Sequence, residues 1–195
     1  MTRTKTKTKR VAEFGDFQTP AELAEAVCAV VKRTIPSPRT IVEPTCGKGA
    51  FLVAAARAFP NGERFIGRDV NPEYAAEARA AVTLAASAKC SADVQTGDFF
   101  STDWDGVFAG AAEPILVIGN PPWVTNSELG SLGGRNLPEK SNFQNRAGWD
   151  ALTGKSNFDV SEWMLFRLLE SLGDKHATLA MLCKTAVARK ALRHA

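Results

Sequence analysis

Ile115-Leu116-Val117-Ile118-Gly119-Asn120-Pro121-Pro122-Trp123 is the stretch on which the reading of this chain turns. Four aliphatic residues in a row suit a strand buried on both faces, as in a parallel sheet, rather than the alternating strand of a half-exposed one. The strand must stop at Asn120, because consecutive prolines remove two backbone donors and stiffen the chain. Upstream, Ile41 and Val42 open a second buried strand that runs into Glu43-Pro44-Thr45-Cys46-Gly47-Lys48-Gly49. Residues 64–69 and 94–96 read as strands ending at Asp69 and at Gly97-Asp98-Phe99-Phe100, and residues 177–183 as a further buried strand. Helices alternate with them over residues 50–59, from a cap at Asn71 to about Lys89, and over 159–172. In the last of these, Val160, Trp163, Met164, Leu168 and Leu172 share one face, widened by Leu165, Phe166 and Leu169, and Gly173 ends it. The last dozen residues also read as helical. Thr19-Pro20-Ala21-Glu22 predicts a helix start, with Thr19 and Glu22 as a capping box and Leu23, Ala26, Val27, Val30 and Val31 as the buried face. Strands alternating with helices predict an α/β fold, a doubly wound and mostly parallel sheet that binds ligands beyond the carboxyl ends of its strands.

The chain has 195 residues, 45% apolar and 23% charged, which fits one domain and excludes collagen, coiled coil and wholesale disorder. Its net charge of +3 is unevenly placed. The first ten residues hold five cations (Arg3, Lys5, Lys7, Lys9, Arg10) and no acid, which leaves 19 cations against 21 acids in the body. Residues 1–12 are therefore expected to be a disordered basic tail, with a sequence-independent grip on nucleic-acid phosphates as its functional reading. The four cysteines (Cys28, Cys46, Cys90, Cys183) and two histidines lack metal-site spacing, so no metal is expected and a reduced cytoplasmic setting is. No apolar region follows the basic start, and no stretch approaches the roughly 20 apolar residues of a membrane span. Residues 124–157 form a long polar stretch rich in Gly, Ser and Asn. Its Arg135, Lys140, Arg146, Trp149 and Lys155 make it a candidate DNA-facing loop, the alternative being a flexible insertion.

Each strand-end loop carries residues with a chemical use. The Glu43–Gly49 loop is neither a dinucleotide G-x-G-x-x-G nor a P-loop, and its leading acid would repel a pyrophosphate and welcome an ammonium. Asp69 can accept from both hydroxyls of a ribose. Asp98 can accept from an exocyclic amine, and Phe99 can flank a purine. The Asn120 side-chain oxygen and the Pro121 carbonyl can together take both hydrogens of an –NH₂ group, while Trp123 stacks on the ring that carries it. Two such acceptors pull the amine toward tetrahedral geometry and localise its lone pair, which can then attack a sulfonium methyl in line. The contribution is positioning and preorganised acceptors, without a metal or a strong base.

Taken together, these residues resemble the amino-group DNA methyltransferases of restriction–modification systems, in their adenine-N6 branch. Phe14-Gly15-Asp16-Phe17-Gln18-Thr19-Pro20 resembles the branch's N-terminal motif, which lines the methionine end of the cofactor. Residues Glu43 to Leu52 resemble its cofactor loop, with Glu43 implied near the methionine ammonium and Pro44, Gly47, Gly49 and Phe51 along it. Asp69 matches the ribose-binding acid, Asp98 and Phe99 the pair at the cofactor adenine, and Asn120, Pro121, Pro122 and Trp123 the catalytic N-P-P-[FYW]. The resemblance implies a Rossmann-like class I methyltransferase core, S-adenosylmethionine as cofactor, and the N6 amine of a flipped adenine in DNA as acceptor. It allows a specificity subunit, a complementing half or a cognate nuclease as partners.

Related N-P-P motifs occur in protein-glutamine and RNA guanine-N2 methyltransferases, whose cofactor loops usually open differently and which lack an F-G-D-F-Q-T-P segment. A reading of another class is a non-catalytic fragment that binds cofactor or a partner protein. The five candidate strands fall two short of the family's sheet, so residues 13–195 are expected to be a partial catalytic domain with one exposed sheet edge.

Overall fold

A computed structural model of the chain describes residues 18–123 and 159–193. The tail at 1–12, Phe14 and the 124–157 loop with its basic residues lie outside the described residues. Two compact units are formed: a larger one of Gln18–Pro121 and Leu168–Leu182, and a smaller one of Met1–Phe17, Pro122–Arg167 and Cys183–Ala195.

The larger unit holds α1 (Ala21–Val31), β1 (Thr40–Glu43), α2 (Ala50–Ala58), β2 (Arg64–Asp69), α3 (Pro72–Ala85), β3 (Ser91–Thr96), α4 (Trp104–Ala109), β4 (Ile115–Gly119) and β5 (Ala177–Met181). The five strands form one sheet in the order β3-β2-β1-β4-β5. Every pairing is parallel, and Thr40, Ile41 and Val42 of β1 lie opposite Ile115, Leu116 and Val117 of β4. All nine residues of β1 and β4 are buried, which explains the unbroken apolar run of β4 and the Ile41-Val42 pair of β1, where Thr40 and Glu43 are buried as well. Each fully buried Ile, Leu or Val there stabilises the fold by about 1.5–3 kcal/mol relative to exposure. β5 is only partly buried along its length, so the fully buried strand expected at 177–183 is instead a half-covered strand at the end of the described sheet order.

Helix α1 departs from its sequence reading in two ways. Its N-cap is Pro20, whose extended ψ of 141° precedes the first helical residue and whose carbonyl accepts from Leu23 and Ala24 N–H. Thr19 therefore stands one residue outside the cap, and the capping box does not form. The buried face is Ala24, Cys28 and Val31 with Val27 partly covered, while Leu23 and Val30 are exposed. A stripe of small side chains lets α1 lie close on the alanine-rich α2, and those residues share one core cluster. The cap at Asn71 forms as read, its side chain accepting from Glu73 and Tyr74 N–H, although α3 ends at Ala85, short of Lys89. Helix α4 had no counterpart in the sequence reading; Asp103 caps it, and Trp104 and Phe108 bury its inner face.

The boundary between the units falls within α5 (Val160–Leu172), and α6 (Thr185–Ala191) belongs to the smaller unit. In that unit Asp159 Oδ1 accepts from Ser161 N–H and Oγ–H, tying down the first turn of α5. Glu162 is 3% exposed, yet both its carboxylate oxygens accept from Lys190 Nζ at 2.8 and 2.9 Å. A buried carboxylate left without that partner would be strongly destabilising.

Candidate active site

The loop between β1 and α2 is built around its glycines. Gly47 and Gly49 have φ of +50° and +84°, where a side chain is strained. A Cβ on Gly49 would lie 2.9 Å from Ala78 Cβ, so this glycine also lets α2 and α3 pack. The loop is tied to β2 through Cys46 N–H on the Arg68 carbonyl, and it closes on itself through Gly49 N–H on the Cys46 carbonyl. Gln18 lies against its open side, with Oε1 accepting from Lys48 N–H at 3.0 Å and standing 2.7 Å from where a Gly47 Cβ would be.

Glu43 ends β1 at 3% exposure and accepts from Leu52 N–H at 3.1 Å, serving the start of α2, where Gly49 has no side chain to offer. Burial pushes the Glu43 carboxyl well above the usual carboxylate range; the Leu52 bond opposes this and the nearby Asp69 adds to it. Burial, reinforced by Glu43 and Asp69, likewise pushes the Cys46 thiol up. Cys46 is therefore a packed thiol rather than a nucleophile. Pro44 is buried beside it. Thr45 Oγ1 is shielded from solvent and has no hydrogen-bond partner among the described residues.

Asp69 ends β2, with Oδ2 accepting from Gly47 N–H and Oδ1 from Asn71 N–H, each at 2.8 Å. Its carboxylate joins the β1 loop to the start of α3. Asp98 follows β3 and accepts from Phe100 N–H at 3.0 Å. The adjacent ring of Phe99 belongs to the core: it is 3% exposed and packs on Trp104 at 5.1 Å, and Trp104 Nε1 donates to the Phe99 carbonyl. Phe100 is the less buried of the two rings. Phe51 is likewise fully enclosed in the core cluster. Both rings, Phe51 from the first turn of α2 and Phe99 from the turn after β3, thus pack in the core.

Asn120 follows β4. Its Nδ2 donates to Thr19 Oγ1 at 3.4 Å, and its Oδ1 is shielded from solvent with no partner among the described residues. Buried polar atoms are nearly always paired, so a bare acceptor at a strand end marks a place prepared for a donor. Pro121 is buried, Pro122 half-buried, and Trp123 is 50% exposed. Sheet order converts a scattered set of residues into a row. A Cβ on Gly119, just before Asn120, would lie 3.5 Å from Glu43 Cγ. Asp69 pairs in register with Thr96, two residues before Asp98. Along the carboxyl edge the row runs Asp98, Asp69, the Glu43–Gly49 loop, Asn120, across three strand spacings or about 14 Å. The chain turns from one side of the sheet to the other between β1 and β4, the position where doubly wound sheets bind ligands. Neither the Thr19–Asn120 contact nor the bare Thr45 hydroxyl had any signal in local sequence. Among the described residues, no group of three or more His, Cys, Asp or Glu could hold a metal ion, and no helix is long and apolar enough to cross a membrane.

This sheet order and loop placement are those of the class I S-adenosylmethionine-dependent methyltransferase fold. Two solved structures share it over most of this chain. A type I restriction–modification methyltransferase subunit from Streptococcus thermophilus superposes with a TM-score of 0.61 at 18% identity, covering 92% of this chain and 39% of that one. A class I S-adenosylmethionine-dependent methyltransferase, described as putative, from Listeria monocytogenes gives 0.59 at 13% identity, covering 91% and 51%. The family described as N-6 DNA Methylase matches residues 4–187, and the chain belongs to that family. It is 48% identical over 186 residues to the type II methyltransferase M.NspV of Nostoc sp., covering 95% of this chain and 38% of that protein. It is 30% identical over 117 residues to the type II methyltransferase M.CvrRI of Paramecium bursaria Chlorella virus XZ-6E. The chain thus spans 38% and 26% of the length of these two curated relatives.

Proposed function

We propose that this chain carries the cofactor and catalytic elements of a methyltransferase that moves a methyl group from S-adenosylmethionine to the N6 amine of adenine in DNA. The observation that carries this reading is the bare, shielded Asn120 Oδ1 at the end of β4. It suits a substrate that brings a donor and needs an acceptor. The family supports adenine in DNA over a protein amide or an RNA guanine amine. A specificity subunit, a complementing half or a cognate nuclease are candidate partners from the same context.

The residues along the strand ends fit the cofactor. Asp98 suits the adenine amine. Asp69 suits the ribose hydroxyls, since a carboxylate offers about four lone-pair sites. The Gly47 and Gly49 turn, the bare Thr45 hydroxyl and Glu43 suit the methionine end, with Gln18 against the turn and Thr19 and Pro20 following it in the N-terminal motif. When bound, S-adenosylmethionine supplies an electrophilic methyl on a sulfonium that departs as a neutral thioether. Asn120 Oδ1 and the Pro121 carbonyl hold the two amine hydrogens, draw the nitrogen lone pair out of the aromatic ring, and face the positive charge that builds on nitrogen. Trp123, half-exposed two residues after Pro121, takes the stacking role on a base that must leave the duplex.

Incubation of the full chain with labelled S-adenosylmethionine and unmethylated bacterial DNA is expected to yield N6-methyladenine on nuclease digestion. Cofactor binding without any transfer would instead favour the cofactor-binding fragment, and label in protein would move the substrate class.

Glu43 gives the cofactor reading a pH signature. In the free chain, burial keeps the carboxyl protonated above its ordinary range. The folded state then holds a proton that the unfolded state has lost, and stability falls as pH rises through that window. A bound ammonium favours the carboxylate, so cofactor binding releases a proton, and affinity rises with pH until Glu43 is ionised without help. Calorimetry in two buffers of different ionisation enthalpy should register this release for the unsubstituted chain and not for Glu43→Gln. Equal proton release from both would remove Glu43 from the ammonium site.

A further inference from the structure

We propose that Thr19, beyond its place beside the cofactor, is a positioning residue for Asn120: its hydroxyl oxygen accepts from Asn120 Nδ2 and so holds and polarises the amide whose Oδ1 receives the substrate amine. The inference rests on the function proposed above. It begins from the displaced cap of α1. Because Pro20 is the N-cap, the Thr19 hydroxyl is released from the helix and meets Asn120 at 3.4 Å. The residue before a proline is confined to extended backbone, so Thr19 presents its hydroxyl from a restricted position. Helix α1 is anchored in turn by Ala24, Cys28 and Val31 in the core. On the other side, Asn120 follows Gly119, which is buried at the end of β4.

The amide group makes this contact consequential. It is planar and conjugated, so a hydrogen bond donated from Nδ2 shifts electron density onto Oδ1 and makes it a stronger acceptor. In this arrangement the amide turns its nitrogen to Thr19 and its oxygen away from it. With Nδ2 so engaged, the remaining oxygen is left shielded and without a partner among the described residues. An inverted amide would confront an incoming –NH₂ with another donor. Positive charge growing on the substrate nitrogen draws on Oδ1, and the Nδ2–Thr19 bond then strengthens with it. The Nδ2 contact therefore acts on the rate of the chemical step, apart from whatever Thr19 contributes beside the cofactor.

Thr19→Val keeps the shape and removes the acceptor, while Thr19→Ser keeps the hydroxyl. With the full chain, Thr19→Val is expected to lower kcat for transfer to unmethylated DNA about tenfold, the effect of one lost hydrogen bond. The loss in kcat should exceed any rise in the S-adenosylmethionine Kd from calorimetry, and Thr19→Ser should restore most of the rate. A Thr19→Val chain with unchanged kcat overturns the proposal. So does a loss that lies wholly in Kd, which would leave Thr19 as a cofactor contact only. A readout independent of transfer is the exchange of the Asn120 side-chain amide protons with solvent, followed by ¹⁵N NMR. It should be slow in the unsubstituted chain and in Thr19→Ser and faster in Thr19→Val, and equal exchange in all three overturns the proposal. If the unsubstituted chain transfers no methyl at all, the function reading fails on that result, and the amide exchange still decides the positioning role.

Discussion

Replacing Asn120 by alanine is expected to reduce methyl transfer to DNA by roughly 10²- to 10³-fold, the range found when one preorganised polar contact to a developing charge is removed. The reason lies in the arithmetic of acceptors at the β4 end. Two are available to the substrate amine, the Asn120 side chain and the Pro121 carbonyl, and the variant leaves only the second. One remaining acceptor holds one hydrogen, so the nitrogen lone pair stays delocalised in the ring and its charge is met on one side only. The fold should tolerate the change, because among the described residues Oδ1 has no hydrogen-bond partner and Nδ2 gives up its contact to Thr19. Cofactor affinity should be unchanged, since the row from Asp98 to the Glu43–Gly49 loop is untouched. Asn120→Asp retains an acceptor but loses the donor to Thr19, and an intermediate rate is expected. Undiminished transfer by Asn120→Ala, measured as incorporation of labelled methyl, would take the catalytic role away from this loop.

Asp69→Ala is expected to weaken S-adenosylmethionine binding about 100-fold. Hydrogen bonds to a charged acceptor contribute about 1.5–3 kcal/mol each, and losing even two of modest strength reaches that factor. The structure adds a second source of loss. Asp69 also accepts from Gly47 and Asn71 N–H, so its removal frees two backbone donors and loosens the β1 loop from the start of α3. Urea unfolding separates the two effects. A small drop in stability with a large drop in affinity is the expected pattern, and Asp69→Asn, which keeps one acceptor oxygen, should fall between. Calorimetric affinities equal for Asp69→Ala and the unsubstituted chain would exclude the ribose contact.

The parts of the fold that were legible are those in which burial is uniform. Ile115–Ile118 and Ile41–Val42 read as strands because both faces of a central parallel strand are apolar. The Asn71 cap was legible because its reach is two or three residues. Helix α4 was not, because six residues with Gly106 among them are too few to show a period. The α1 face was read one position off. Its aliphatic residues outnumber those the core uses, and the small side chains that allow close helix contact carry little hydrophobic signal. The burial of Phe51 and Phe99 has no local signal, since a motif position does not say how far a ring is covered by the core.

By itself, the sequence determined most of the elements and the chemistry waiting at their ends: an acid as the last residue of β1, another as the last of β2, a third after β3, and an amide with two prolines after β4. Those are local properties, governed by burial pattern, glycine and proline. Their arrangement was decided only in the tertiary structure. The order β3-β2-β1-β4-β5 places Glu43 against Gly119 and sets Asp98, Asp69, the glycine loop and Asn120 in one row, which is not their order along the chain. The Thr19 hydroxyl at Asn120 is of the same kind. Local propensity assigned that hydroxyl to the helix cap. It turned instead to a partner distant in sequence, because the Pro20 backbone took the capping role and the packing of α1 against the core held Thr19 beside the end of β4.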